Sequence, residues 1–216
     1  MNLNLNLSGF LNVFKCLASP SLCLPHATVS TFNDLPIPLD KAFAARREKP
    51  VIKAVVLDKD DCFAYPESST VFESNKERFE ALRAAYPGRR LLIVSNTAGA
   101  QSHDKGGKLA TEVEKSTGVT VLSHRVKKPG CADEIIEYFR QHPDTGVTGP
   151  HQIAVVGDRL FTDMMLANRM GSWGIWVKDG VVPLKEKSIF SRMEQKIGPF
   201  LISRGFSPVE PTNPFE

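Results

Sequence analysis

The sequence predicts an α/β fold: a three-layer, Rossmann-like parallel sheet with helices on both faces and no large cap domain. Two observations carry this. Short apolar runs alternate with amphipathic stretches of about ten residues, the rhythm of right-handed βαβ units. Polar residues gather where the apolar runs stop, and open parallel sheets bind ligands outside the carboxyl ends of their strands.

The elements follow in order. Residues 1–50 read as a lead-in. Leu7, Phe10, Leu11, Phe14, Leu17 and Ala18 recur at helical spacing, with Ser8 as a cap and Pro20 as a stop. That short helix is open to three readings: an edge packed on the body, an interfacial membrane anchor, or part of a targeting segment. Against a usual presequence, the first 45 residues hold no arginine and two lysines. Proline and turn formers fill residues 20–50, ending in Arg46-Arg47-Glu48-Lys49.

The domain proper is expected over 51–205. Ile52–Leu57 is apolar apart from Lys53 and stops at Asp58, as a buried parallel strand does. A helix over Asn75–Ala85 leads to a strand Leu91–Val94. A helix over Gly107–Thr117 leads to Thr120–Leu122, and one over Ala132–Gln141 to Ile153–Val156. A last helix, Phe161–Met170, precedes the strand Gly174–Val177. Residues 206–216, with three prolines, are expected to be an unpacked tail.

Composition excludes several classes. A net charge of +3 is too small to argue for a nucleic-acid partner. The four cysteines form no CxxC pair and no cluster with histidine, so they read as reduced thiols rather than a zinc site. No apolar stretch reaches the roughly 18 residues a membrane-spanning helix needs.

The chemistry sits at the strand ends. In Asp58-Lys59-Asp60, alternation on an extended segment points both carboxylates one way and Lys59 elsewhere, and two carboxylates so close call for a metal or a shared proton. Taken alone the pair is a weak signal, since surface turns often carry one. Ser95-Asn96-Thr97-Ala98-Gly99 offers a hydroxyl and backbone N–H groups for a phosphate oxygen, although Ser-Asn is also common turn chemistry. Lys127-Lys128-Pro129 places a cation at a helix start, where it does not help the helix itself. Gly157-Asp158-Arg159 and Asp163 supply oxygen ligands of the kind Mg²⁺ takes, though Asp163 also fits an ordinary first-turn acid.

Together, in this order, the four elements resemble the four motifs of the haloacid dehalogenase superfamily of aspartate-nucleophile phosphatases. From about Leu7 to about Val182 the chain resembles the mitochondrial phosphatidylglycerophosphate phosphatase family. The telling stretches are Leu57–Asp60, Ser95–Gly99, His124–Pro129 and Val156–Gly174. The resemblance implies that Asp58 is the nucleophile and Asp60 the general acid/base, protonated at first through a raised pKa. Ser95, Asn96, Lys128 and Arg159 would bind substrate. Mg²⁺ would be held by Asp58, Asp158 and the carbonyl of Asp60, with Asp163 in support.

The resemblance further implies a phosphatidylglycerophosphate substrate, peripheral contact with an anionic membrane, and a place on the matrix side of the mitochondrial inner membrane. A soluble phosphatase for small metabolites shares every catalytic residue and stays open, as does a homo-oligomer. Gaps between motifs leave no room for a folded cap, which suits a lipid substrate; Arg125, Lys127 and Arg159 would suit an anionic surface. Asp61 and Cys62 depart from the more usual Asn and Thr: the extra acid either tunes the metal or merely faces solvent, the simpler account, and Cys62 reads as a small packing residue.

Overall fold

The structure, a computed structural model, describes residues 19–45 and 49–212. The helix expected over Leu7–Ala18 lies outside the described residues.

Six parallel strands form one sheet: β1 (Ala27–Val29), β2 (Ala54–Leu57), β3 (Leu91–Ile93), β4 (Thr120–Val121), β5 (Ile153–Gly157) and β6 (Trp173–Val177), in the order β1-β6-β5-β2-β3-β4. Alternation along the strands builds two cores. Val55, Leu57, Leu91, Ile93, Ala154 and Val156 face one side. Ala54, Val56, Leu92, Ile153 and Val155 face the other.

Helices close both faces. On the first lie α1 (Lys76–Ala85), through Phe79 and Leu82, and α2 (Lys108–Thr117), through Val113. On the second lie α3 (Ala132–Gln141), through Ile135 and Phe139, and α4 (Met165–Met170), through Leu166 and Met170. The i, i+3 and i, i+4 spacing of these buried residues is what makes each stretch helical here, each large side chain contributing about 2 kcal/mol by its burial.

Three expectations need correction. Residues 20–45 are not a lead-in outside the domain: Ala27–Val29 pairs with β6 as an edge strand, and Phe32, Leu35, Leu39 and Phe43 are buried in the first core. The helix expected over Phe161–Met170 is broken into a wide π-type turn, Leu160–Met164, followed by α4. The N–H groups of Asp163 and Met164 both donate to the Arg159 carbonyl, which widens the first turn. Finally, the tail is tied down at Val209, whose N–H donates to Asn168 Oδ1 at 3.0 Å and whose carbonyl lies 2.8 Å from His26 Nε2. A further helix, α5 (Ile189–Ser203), packs Met193, Ile197 and Leu201 on Leu160, Phe161 and Trp176.

Central β2 positions the site. Its register pairs Leu57 with Ile93 and with Val156, and beyond it the Asp58 N–H donates to the Val156 carbonyl. Asp58, Ser95 and Asp158 therefore emerge together at one edge.

Candidate active site

Asp58, Asp158 and Asp163 converge at that edge, each offering a carboxylate oxygen within 4.8 Å of the others, and all three are buried. Lys128 reaches in from the loop before α3. Its Nζ lies 2.6 Å from Asp58 Oδ1 and 2.6 Å from Asp163 Oδ1. Two contacts hold that loop: the Lys128 N–H donates to Asn96 Oδ1 at 2.7 Å, and the His124 ring bridges the carbonyls of Val126 and Ser95 at 2.8 and 2.9 Å.

Asp163 turns inward because Gly157 lets it. A Cβ on Gly157 would sit 2.5 Å from Asp163 Oδ2, the oxygen that accepts the Arg159 N–H at 3.1 Å. Asp163 thus belongs to the carboxylate cluster itself.

The charges fall out from these contacts. Burial, with the Asp163 charge beside it, pushes Asp58 up to about 7 despite Lys128. Burial and the charges of Asp58 and Asp163 raise Asp158 well above the carboxylate range. Burial opposes the charge on Lys128, but Asp163 and Asp58 more than offset it and raise its pKa. Asp158 Oδ1 is a buried acceptor with no hydrogen-bond partner.

Asp60 differs from its expected state. Lys59 does not point away: its buried Nζ ion-pairs with Asp60 Oδ1. The hydroxyls of Ser95 and Thr97 donate to Asp60 Oδ2 at 2.9 and 2.6 Å. Although burial works the other way, Lys59 and these hydroxyls lower the Asp60 pKa, so its carboxyl is ionised here rather than protonated.

Arg159 lines the pocket beside Asp158, and its Nε and one terminal nitrogen also grip the buried Glu194 of α5 at 2.7 and 3.1 Å, a contact the sequence did not foretell. Cys62 is a fully buried thiol, as simple packing requires. Asp61 does not face solvent; it bonds to residues 181, 182 and 187. Sequence reasoning gave no role to Thr97, Lys187 or Glu194. A hydroxyl beside a known motif was a signal for Thr97; the other two lie in a segment with no strand end to mark it.

A cavity of about 290 Å³ opens over this cluster, lined by Asp58, Asp60, Asn96, Thr97, Lys128, Asp158 and Arg159 and by Val182 and residues 186–188. Residues 7–182 match the family model described as mitochondrial PGP phosphatase. The chain belongs to that family. Among similar members, a mitochondrial phosphatidylglycerophosphatase of Saccharomyces cerevisiae is 46% identical over 197 residues, covering 91% of this chain and 99% of that protein. A probable mitochondrial phosphatidylglycerophosphatase of Schizosaccharomyces pombe is 33% identical, covering 82% and 84%. A chloroplastic phosphatidylglycerophosphate phosphatase of Chlamydomonas reinhardtii is 32% identical, covering 81% and 60%. Among the described residues, no helix is long and apolar enough to cross a membrane.

Proposed function

We propose that this protein is a Mg²⁺-dependent phosphatase that converts phosphatidylglycerophosphate to phosphatidylglycerol and phosphate through an aspartyl-phosphate on Asp58. The observation that carries the reading is the pocket in which Asp58 meets Lys128 and two further buried carboxylates, in a chain of this family. The names of its relatives supply the substrate.

The residues fit a divalent cation. Three buried carboxylates gather around one lysine, and one oxygen of Asp158 has no hydrogen-bond partner; buried negative charge in excess calls for a hard, oxygen-liganded ion. Asp58 and Asp158 would hold it, with Asp163 and the Asp60 carbonyl, the latter implied by the family resemblance. Bound there, Mg²⁺ would reduce the repulsion between phosphate and Asp58 and polarise a phosphoryl oxygen.

The chain's own groups do the rest. Lys128 orients the Asp58 carboxylate and meets the charge of the transferring phosphoryl group. An Asp58 oxygen attacks phosphorus in line, the bond to the lipid's alcohol oxygen breaks, and Asp60 gives that oxygen a proton. Approach of a phosphate dianion raises the Asp60 pKa and favours the proton uptake this needs. Asp60 then takes a proton from water as the water attacks the same phosphorus, freeing phosphate and Asp58. Ser95 would turn its hydroxyl from Asp60 toward a phosphoryl oxygen, leaving Thr97 to hold Asp60.

Leu184 and Ile189, 53% and 80% exposed, stand beside residues 186–188 of the pocket wall and suit contact with a bilayer. This supports peripheral contact with a membrane, which the mitochondrial relatives lead us to place at the anionic matrix side of the inner membrane. The test is phosphate release from vesicles containing phosphatidylglycerophosphate, with and without Mg²⁺, beside release from glycerol phosphate. Magnesium-dependent release from the lipid is expected. Release from glycerol phosphate alone would replace this reading with a soluble metabolite phosphatase.

A further inference from the structure

Asp61, directly after the Asp58–Asp60 pair, makes contacts that catalysis does not explain. It sits at φ 60°, a left-handed conformation uncommon for residues other than glycine, though Asp adopts it more readily than most. Its Oδ1 accepts the N–H of Val181 at 2.9 Å and that of Val182 at 2.6 Å, and its carbonyl accepts the Val181 N–H at 3.1 Å. Its Oδ2 ion-pairs with Lys187, whose side chain is 2% exposed. Gly180 permits the approach: its φ is +63°, and a Cβ there would lie 2.3 Å from the Asp61 carbonyl oxygen and 2.8 Å from Lys187 Nζ. The segment so tied, residues 181–188, supplies Val182, Glu186, Lys187 and Ser188 to the pocket wall facing Asp58.

We infer that Asp61 is a positioning residue: it latches the 181–188 segment to the nucleophile loop, and the wall so fixed selects the part of the substrate beyond the reacting phosphoryl group. This rests on the phosphatase reading above. A carboxylate suits the task because one oxygen receives two backbone donors while the other neutralises a buried lysine. Alanine at 61 loses both functions. Asparagine keeps the acceptor oxygen and loses only the ion pair.

The test compares D61A, D61N and G180A with the parent, measuring kcat and KM on phosphatidylglycerophosphate in mixed micelles and on p-nitrophenyl phosphate, with thermal midpoints alongside. The readout is the ratio of kcat/KM for the lipid to that for the small ester, which loss of folded protein does not move. D61A and G180A should each lower the ratio by about tenfold, mainly through KM of the lipid, and D61N should recover most of it. Adding K187M to D61A should lower the ratio little further, because the pair acts as a unit. A ratio within about twofold of the parent in both D61A and G180A overturns the inference. Where D61A does not fold, G180A decides by the same ratio. A parent inactive on both substrates sinks the phosphatase reading, and this one with it; an active parent whose variants keep the ratio sinks this one alone.

Discussion

Lys128→Met tests the electrostatics of the site. The Lys128 ammonium lies 2.6 Å from Asp58 and 2.6 Å from Asp163, with side chains 2%, 9% and 0% exposed respectively. Without it, three carboxylates whose oxygens lie within 4.8 Å of one another lose the ammonium that touches two of them. At an effective dielectric of about 20, two full charges at that separation repel by about 3.5 kcal/mol. The site limits this by taking up protons, so the net loss should be about 3–5 kcal/mol, the usual result of removing one partner of a buried pair. For a chain of this size that lowers the thermal midpoint by about 6–20 °C.

The loss depends on pH, and its sign follows from Asp58. Its folded pKa, about 7, lies above its ordinary 3.8, so the folded chain binds a proton that the unfolded chain has released between those values. The stability this proton brings is present at low pH and is lost as pH rises through about 7. The deficit of Lys128→Met in EDTA should therefore be larger at about pH 8 than at about pH 5.5, and Mg²⁺ should recover part of it at the higher pH. Thermal unfolding followed by circular dichroism reads all of this. A variant within about 2 °C of the parent at high pH in EDTA would refute the reasoning.

Other outcomes follow from the same contacts. Lys59→Met removes the charge that keeps Asp60 ionised, so the acidic limb of the kcat profile, where Asp60 must act as a base, should move to higher pH; an unmoved limb would separate Lys59 from Asp60. Arg159→Met should cost about 3 kcal/mol by leaving Glu194 buried without its partner, and Glu194→Met in the same chain should restore most of it; denaturant unfolding measures both, and a single variant as stable as the parent would refute the pairing as a source of stability. Asp60→Asn should slow turnover about a hundredfold or more while leaving Mg²⁺ affinity, read by calorimetry, nearly intact.

The sheet was legible because buried parallel strands are short continuous apolar runs, and Ile52–Leu57 and Ile153–Val156 are such runs. The site was legible because each run ends in a polar residue, and parallel register brings Asp58, Ser95 and Asp158 to one edge whatever the loops do. Less could be read where a residue's role is set by a distant partner. Asp163 could be read both as a metal carboxylate and as a first-turn acid, and the inward turn that places it in the cluster rests on Gly157 and Lys128. The Arg159 pairing with Glu194 could not be read because Glu194 lies on α5, whose helical pattern Gly198 and Pro199 interrupt; Gly198 is there for packing, since a Cβ would lie 2.9 Å from Leu160. Edge strand β1 is three residues long, too short for a period to show. The ionised state of Asp60 depended on Lys59 folding back on its neighbour, against simple strand alternation.

The central claim is that an oxygen of Asp58 receives the phosphoryl group. The most direct measurement is acid quenching of a single turnover with phosphorus-labelled phosphatidylglycerophosphate, followed by peptide mapping. Label released by hydroxylamine and confined to the peptide carrying Asp58, absent from Asp58→Asn, is the expected result. Turnover with no labelled protein, or label on another residue, would contradict it.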